Sequence, residues 1–146
     1  MVQAMPQNFE NHARVVPPYH FVAFGILAIN FFWSAYRLLR SFSADGAIAL
    51  LLAVALLILF FYARIFALTV QDRVIRLEMT LLLEKLLPPE LRPRIKEFTP
   101  AQLIALRFAS DQELPELARR VLVENVTDRK TIKKMIQTWK PDYLRA

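Results

Sequence analysis

The chain has 146 residues, 55% of them hydrophobic, with no cysteine and a formal net charge of +6. Without cysteine, disulfides, thiolate metal sites and cysteine nucleophiles are excluded. The apolar residues concentrate before residue 71, and a basic balance beside such runs points to anionic lipid ahead of nucleic acid.

Residues 1–18 form an N-terminal arm. Its basic groups are Arg14 and His12, beside Glu10 and three prolines. A long apolar run follows with no small-residue cleavage site, so the first run is expected to remain in the mature protein.

Two apolar runs dominate what comes next. Phe21–Leu39 supplies 19 residues, and Tyr19 with His20 extends it. A hydrocarbon core of about 30 Å needs roughly 20 helical residues. Pro17 and Pro18 mark its start, and Arg37 and Arg40 close it. Tyr19, Trp33 and Tyr36 are the amphipathic aromatics expected at headgroup depth. Asn30 and Ser34 lie one turn apart on one face, where polar groups hydrogen-bond across helix interfaces. The connection 41–46 is short and turn-rich, so the two runs are expected to be antiparallel neighbours. Asp45 is the expected N-cap of the second.

The second run, Ala47–Val70, is uncharged until Arg64. Tyr62 and Arg64 mark its exit, the arginine reaching towards water. No proline or glycine follows until Pro88, so the helix is expected to run on through Gln71–Glu78 as one rod of about 40 residues, on the order of 60 Å. The spans are thus about 19–39 and 47–70. Arg14, Arg73, Arg76 and Lys85 outweigh Arg37 and Arg40 of the connection, which places both termini in the cytoplasm by the positive-inside rule.

Residues 71–146 read as a small helical cytoplasmic segment. Pro88-Pro89 is a stop, and Thr99-Pro100-Ala101-Gln102 a capping box with proline at the first helical position. The helix it opens is apolar on nearly every side and should be buried. Ser110-Asp111-Gln112-Glu113 is a second capping-box candidate, followed by the stripe Leu114, Leu117, Ala118, Val121 and Leu122. The last helix is expected over Asp128–Trp139, with Ile132, Met135, Ile136 and Trp139 inside and Lys130, Lys133 and Lys134 outside. Helices this few and short cannot bury much alone, so they are expected to pack on the rod, the membrane surface or a partner.

For chemistry the residues offer little. His20 could ligate haem iron or a pigment magnesium through its imidazole. An interfacial role is preferred, because a bis-histidine haem needs a second ligand and His12 lies outside the span. Arg129, Lys130, Lys133, Lys134 and Lys140 form a basic face, read first as a solvated one and next as a contact for anionic lipid or an acidic partner; no nucleic-acid module accompanies it. Only Gly25 and Gly46 are present, so there is no phosphate-binding glycine loop, and no triad or paired carboxylates emerge. No cofactor is expected, and no enzymatic activity.

Several stretches together carry a resemblance: Asn11-His12-Ala13-Arg14-Val15-Val16-Pro17, Trp33-Ser34-Ala35-Tyr36-Arg37, Gln71-Asp72-Arg73-Val74-Ile75-Arg76-Leu77-Glu78, Gln102-Leu103-Ile104-Ala105-Leu106-Arg107-Phe108-Ala109-Ser110 and Asp128-Arg129-Lys130-Thr131-Ile132-Lys133-Lys134. The chain resembles a family of small bacterial two-span membrane proteins of unknown function. The resemblance implies a bacterial inner-membrane protein and supplies no catalytic residue. The expectation is an all-α chain: a transmembrane hairpin, a second span extended into a long cytoplasmic helix, and a small helical domain. Its expected role is a non-catalytic accessory subunit of a larger membrane complex, respiratory or photosynthetic, with lipids and other integral-membrane subunits as partners. The alternatives are a cofactor- or pigment-binding electron-transfer subunit using His20, and a regulator binding nucleic acid or anionic lipid through the basic last helix.

Overall fold

The computed structural model describes residues 7–11 and 15–142, and these form helices joined by turns, with no β-strand among them. They fall into two compact units, Arg14–Leu68 and Thr69–Ala146 with Met1–Ala13. His12 and Arg14, weighed above, lie outside the described residues.

In the first unit, Pro18 opens a π-helical turn over Pro18–Ala23 that runs into α1, Phe24–Arg40. The prolines mark the start as expected, because proline tolerates the first turn and nothing behind it. α2 spans Ala44–Leu86, 43 residues without a break. Its start corrects the sequence reading: Ser43, not Asp45, is the cap. The Ser43 hydroxyl accepts the Gly46 N–H at 3.1 Å, and the Ser43 carbonyl accepts the Ala47 N–H at 3.0 Å. Asp45 sits inside the first turn, where a carboxylate still favours the positive helix end. Gly46 has a steric reason: a Cβ there would meet Ser43 Oγ at 3.1 Å and Leu38 Cδ1 at 3.3 Å.

The helices Pro18–Arg40 and Ala44–Leu86 are each long and apolar enough to cross a membrane. Only 6% of the most apolar window of each is buried within the chain, unlike the core helix of a soluble protein. Contacts join opposite ends. Tyr19 stacks on Phe60 and Phe24 meets Phe61, while Leu38 lies against Gly46.

In the second unit, the later part of α2, with Leu87 just past its end, offers one apolar face, Ile75, Met79, Leu83 and Leu87, all buried. Pro88 and Pro89 then end the helix, and Arg92 Nε donates to the Leu87 carbonyl at 2.9 Å, satisfying one of the orphaned acceptors of the last turn. A 3₁₀ turn over Arg92–Glu97 buries Ile95 and leads to α3, Pro100–Leu106. The capping box forms as the sequence specifies: Thr99 Oγ1 accepts from Gln102 N, and Gln102 Oε1 accepts from Thr99 N at 2.8 Å. Gln102 is buried, and its amide also donates to the Val126 carbonyl at 2.9 Å.

α4 covers Leu114–Val123 and buries Leu114, Leu117, Ala118 and Val121; Leu122 is half-buried. The second capping box forms only in half. Ser110 Oγ accepts from Glu113 N, but the Glu113 carboxylate turns away to accept Gln137 N and Thr138 N, both at 2.8 Å. α4 ends with Asn125 at φ 49°, and Val126 N donates to Val121 O at 3.0 Å. This is a Schellman closure, in which asparagine tolerates the left-handed position.

α5 covers Arg129–Met135, shorter than the expected Asp128–Trp139. Residue 136 turns extended, and the chain pairs with residues 108–110. Ser110 N donates to Thr138 O at 3.0 Å, and Lys140 N to Phe108 O at 2.7 Å. Ala109 and Trp139 form an isolated antiparallel bridge. Tertiary hydrogen bonds, with Pro141 close behind, outcompete the last helical turn.

Leu83 is fully buried and Val123 is 69% exposed. Leu83→Ala is expected to cost about 2–5 kcal/mol, and Val123→Ala under about 0.5 kcal/mol. Hydrogen exchange of the α3 amides in the full chain reads both; equal effects would contradict this core.

Candidate functional site

Around the start of the first long helix, the aromatic side chains are fixed by one another. Tyr19 lies 4.2 Å from the Phe60 ring at an interplanar angle of 12°, and its hydroxyl donates to the Phe60 carbonyl. The phenol is thereby tied to a helix backbone. His20 Nδ1 lies 3.0 Å from both the N–H and the carbonyl of Val16. In one tautomer the ring accepts from Val16 N and carries its proton on Nε2. In the other it donates to Val16 O, leaving Nε2 the acceptor that an axial metal ligand requires. A cavity of about 270 Å³ is lined by Val16, Tyr19, His20, Ala63, Arg64 and Ala67. Among the described residues no three histidine, aspartate or glutamate side chains gather as a metal site.

Farther along α1, Trp33 and Tyr36 are exposed, their rings 5.9 Å apart. Arg40 Nε donates to the Tyr36 hydroxyl at 3.1 Å. Tyr62 pairs with Phe66 at 5.6 Å, both exposed. The expected packing pair divides: Ser34 is buried, whereas Asn30 is exposed. Ser34 borders a cavity of about 250 Å³ with Trp33, Arg37 and Asp45.

In the second unit a groove of about 290 Å³ runs between α2 and the C-terminal segment, lined by residues including Gln71, Val74, Glu78, Arg107, Lys140 and Asp142. Its charges are mixed. Arg107 pairs with Asp142 at 3.3 Å and lies over the Phe108 ring, while Lys140 pairs with Asp111 at 2.7 Å. Gln7 hydrogen-bonds both the N–H and the carbonyl of Asp142, so the described residues 7–11 belong to this unit. Such a groove has no cluster of one sign to select an ion.

The basic face of α5 is divided in the same way. Lys133 Nζ lies 5.0 Å from the Phe108 ring centroid and Lys134 Nζ 5.9 Å from that of Phe9. Arg129 and Lys130 are exposed. Phe108, stacked on Trp139 at 4.6 Å, is the hub that sequence reasoning missed. The available signal was Pro141, which disfavours helix in the residue before it and so makes Trp139-Lys140 an extended approach.

Asp128 caps α5, its carboxylate accepting Thr131 N at 2.7 Å and Thr131 Oγ1 at 2.8 Å. These bonds, the hydroxyl's first and then the amide's, hold its pKa below the ordinary value of 3.8. The folded state therefore gains from this carboxylate above pH 3.8 and loses the gain as pH falls through the lower folded value. Acidification below that point is expected to loosen α5, seen as faster exchange of the Thr131 amide. Asp128→Asn, which still caps but cannot titrate, should flatten the response; an unchanged acid response would refute the assignment.

No curated protein and no solved structure matches the chain. A family model matches residues 4–146, nearly the whole length, so the chain belongs to DUF6526, a family of unknown function.

Proposed function

We propose that this chain is a non-catalytic accessory subunit of a larger complex in a bacterial inner membrane. Pro18–Arg40 and the apolar part of Ala44–Leu86 would form a transmembrane hairpin, with both termini and the helical second unit in the cytoplasm. The observation that carries the reading is the exposure of these helices. Phe21, Ile29, Phe32, Leu51, Leu59 and Phe66 are each 63–71% exposed. In water so much uncovered apolar surface marks a membrane or protein contact. Lipid and neighbouring spans remove that surface from water, and helices satisfy their own backbone groups there.

The charges support the orientation: Arg73, Arg76 and Lys85 follow the apolar stretch of α2, against Arg37 and Arg40 beside the connection. The inner-membrane setting draws on the motifs that resemble bacterial two-span proteins. A docking role draws on the polar side chains described above. Those of Tyr19, Gln102, Glu113 and Asp128 serve the protein's own backbone, and exposed Asn30 offers an amide for a neighbouring span.

Single cysteines at Ser43 and Gln112 test the topology, since the chain has none of its own. A membrane-impermeant maleimide should label position 43 in intact cells once the outer envelope is opened, and position 112 only after the inner membrane is broken. Mild detergent extraction and sizing then test the role. Co-migration with other integral-membrane subunits in fixed ratio is the expected result. Reversed labelling, or migration no larger than the chain's own dimer, would overturn the proposal.

A further inference from the structure

The second unit leaves one apolar line uncovered. Val70, Val74, Leu77 and Leu81 are 62, 49, 62 and 58% exposed, on the side of α2 away from Ile75, Met79 and Leu83. Their spacings of four, three and four residues alternate as the d and a positions of a heptad, the seam of a two-helix coil. Lipid is a poor cover for this line, because Asp72, Arg73, Arg76 and Glu78 interleave with it, and each charge in the bilayer interior costs about 2.5–3.5 kcal/mol or more.

The flanking charges choose the occupant. With Val74 at a, Arg73 stands at g and Glu78 at e of the next heptad, and both are exposed. In a parallel pair of helices, each g residue meets the e residue five places later on the other strand. Arg73 of one copy then meets Glu78 of the other, twice over by symmetry. An antiparallel pair sets g against g and e against e, which places like charges together.

We propose that residues 70–81 of α2 pair with the same stretch of a second copy as a short parallel coiled coil. The proposal rests on the membrane reading above, which holds two copies in one orientation and at high local concentration. Two heptads alone would be too short to associate firmly in solution.

The test uses the full chain in membranes, with single cysteines at Val74, Leu77 and Leu81 on the seam and at Arg76 off it. Under mild oxidation the three seam positions should give disulfide dimers several-fold more than Arg76→Cys. Arg73→Glu or Glu78→Arg added to Leu77→Cys should each lower the yield by about tenfold, as two surface ion pairs become repulsive, and the double swap should restore it. No dimer at the seam, equal yields at Arg76, adducts with a foreign protein instead, or no rescue by the double swap would overturn the pairing. Alkaline carbonate washing separates the two readings. If the chain stays in the membrane, failed cross-linking counts against the pairing alone; release would overturn the membrane reading and the parallel pairing with it.

Discussion

The buried face of α2 sets what every later segment can do. α3 and α5 have 7 residues each and α4 has 10, lengths at which isolated helices do not persist in water. They share one buried cluster with the wall formed by Ile75, Met79, Leu83 and Leu87, and Leu103, Leu106, Leu114, Val121 and Ile132 belong to it. Residues 88–142 are too few for a sturdy core by themselves. The wall is therefore part of the domain, and the boundary between the two units accordingly falls within α2, near Thr69. Gln102 adds specificity: it completes the Thr99 cap and holds the Val126 carbonyl that the Schellman closure presents. Replacing it with an apolar residue would take this partner from the Thr99 N–H and the Val126 carbonyl, both part-buried.

What could be read from the chain was local. Apolar runs without charge, paired prolines, a cap residue followed three places later by glutamine, and a stripe at helical spacing each carry their own physical cause. These gave the long helices, the stop after Leu87, the start of α3 and the buried face of α4. The misreadings all involve a choice settled elsewhere in the fold. Ser43 and Asp45 are both good caps, and it is the Ser43 hydroxyl that takes the Gly46 N–H. Glu113 could have completed a capping box, but amides 24 and 25 residues away take its carboxylate. Ile132, Met135, Ile136 and Trp139 keep a helical period, yet the chain turns extended after Met135 to reach Phe108. The residues considered for function were legible as types, but their partners were not, because cation–aromatic and carboxylate–amide contacts leave no periodic trace.

The side chains along α2 describe two environments for one continuous helix. Up to about residue 70 its apolar groups lie on most sides and are uncovered; beyond, one face is enclosed, one face carries charge, and one narrow apolar line stays open. In the account proposed here the first environment is lipid, the second is the chain's own core, and the open line belongs to a second copy. Arg64, Arg73 and Arg76 mark the transition, as cations do at a cytoplasmic boundary. A helix with that sequence of surroundings suits a subunit that fixes the position of a small domain beside a membrane.

The most direct test of that change of surroundings is a spin-label scan along α2, one label at a time from residue 47 to 86, in reconstituted bilayers. Oxygen should relax the labels over the apolar stretch, and a water-soluble nickel relaxant should take over by about residue 72. Beyond it, protection from both should recur at positions 75, 79 and 83. Access of the nickel reagent to the middle of the apolar stretch, or an even response beyond residue 72, would contradict the account.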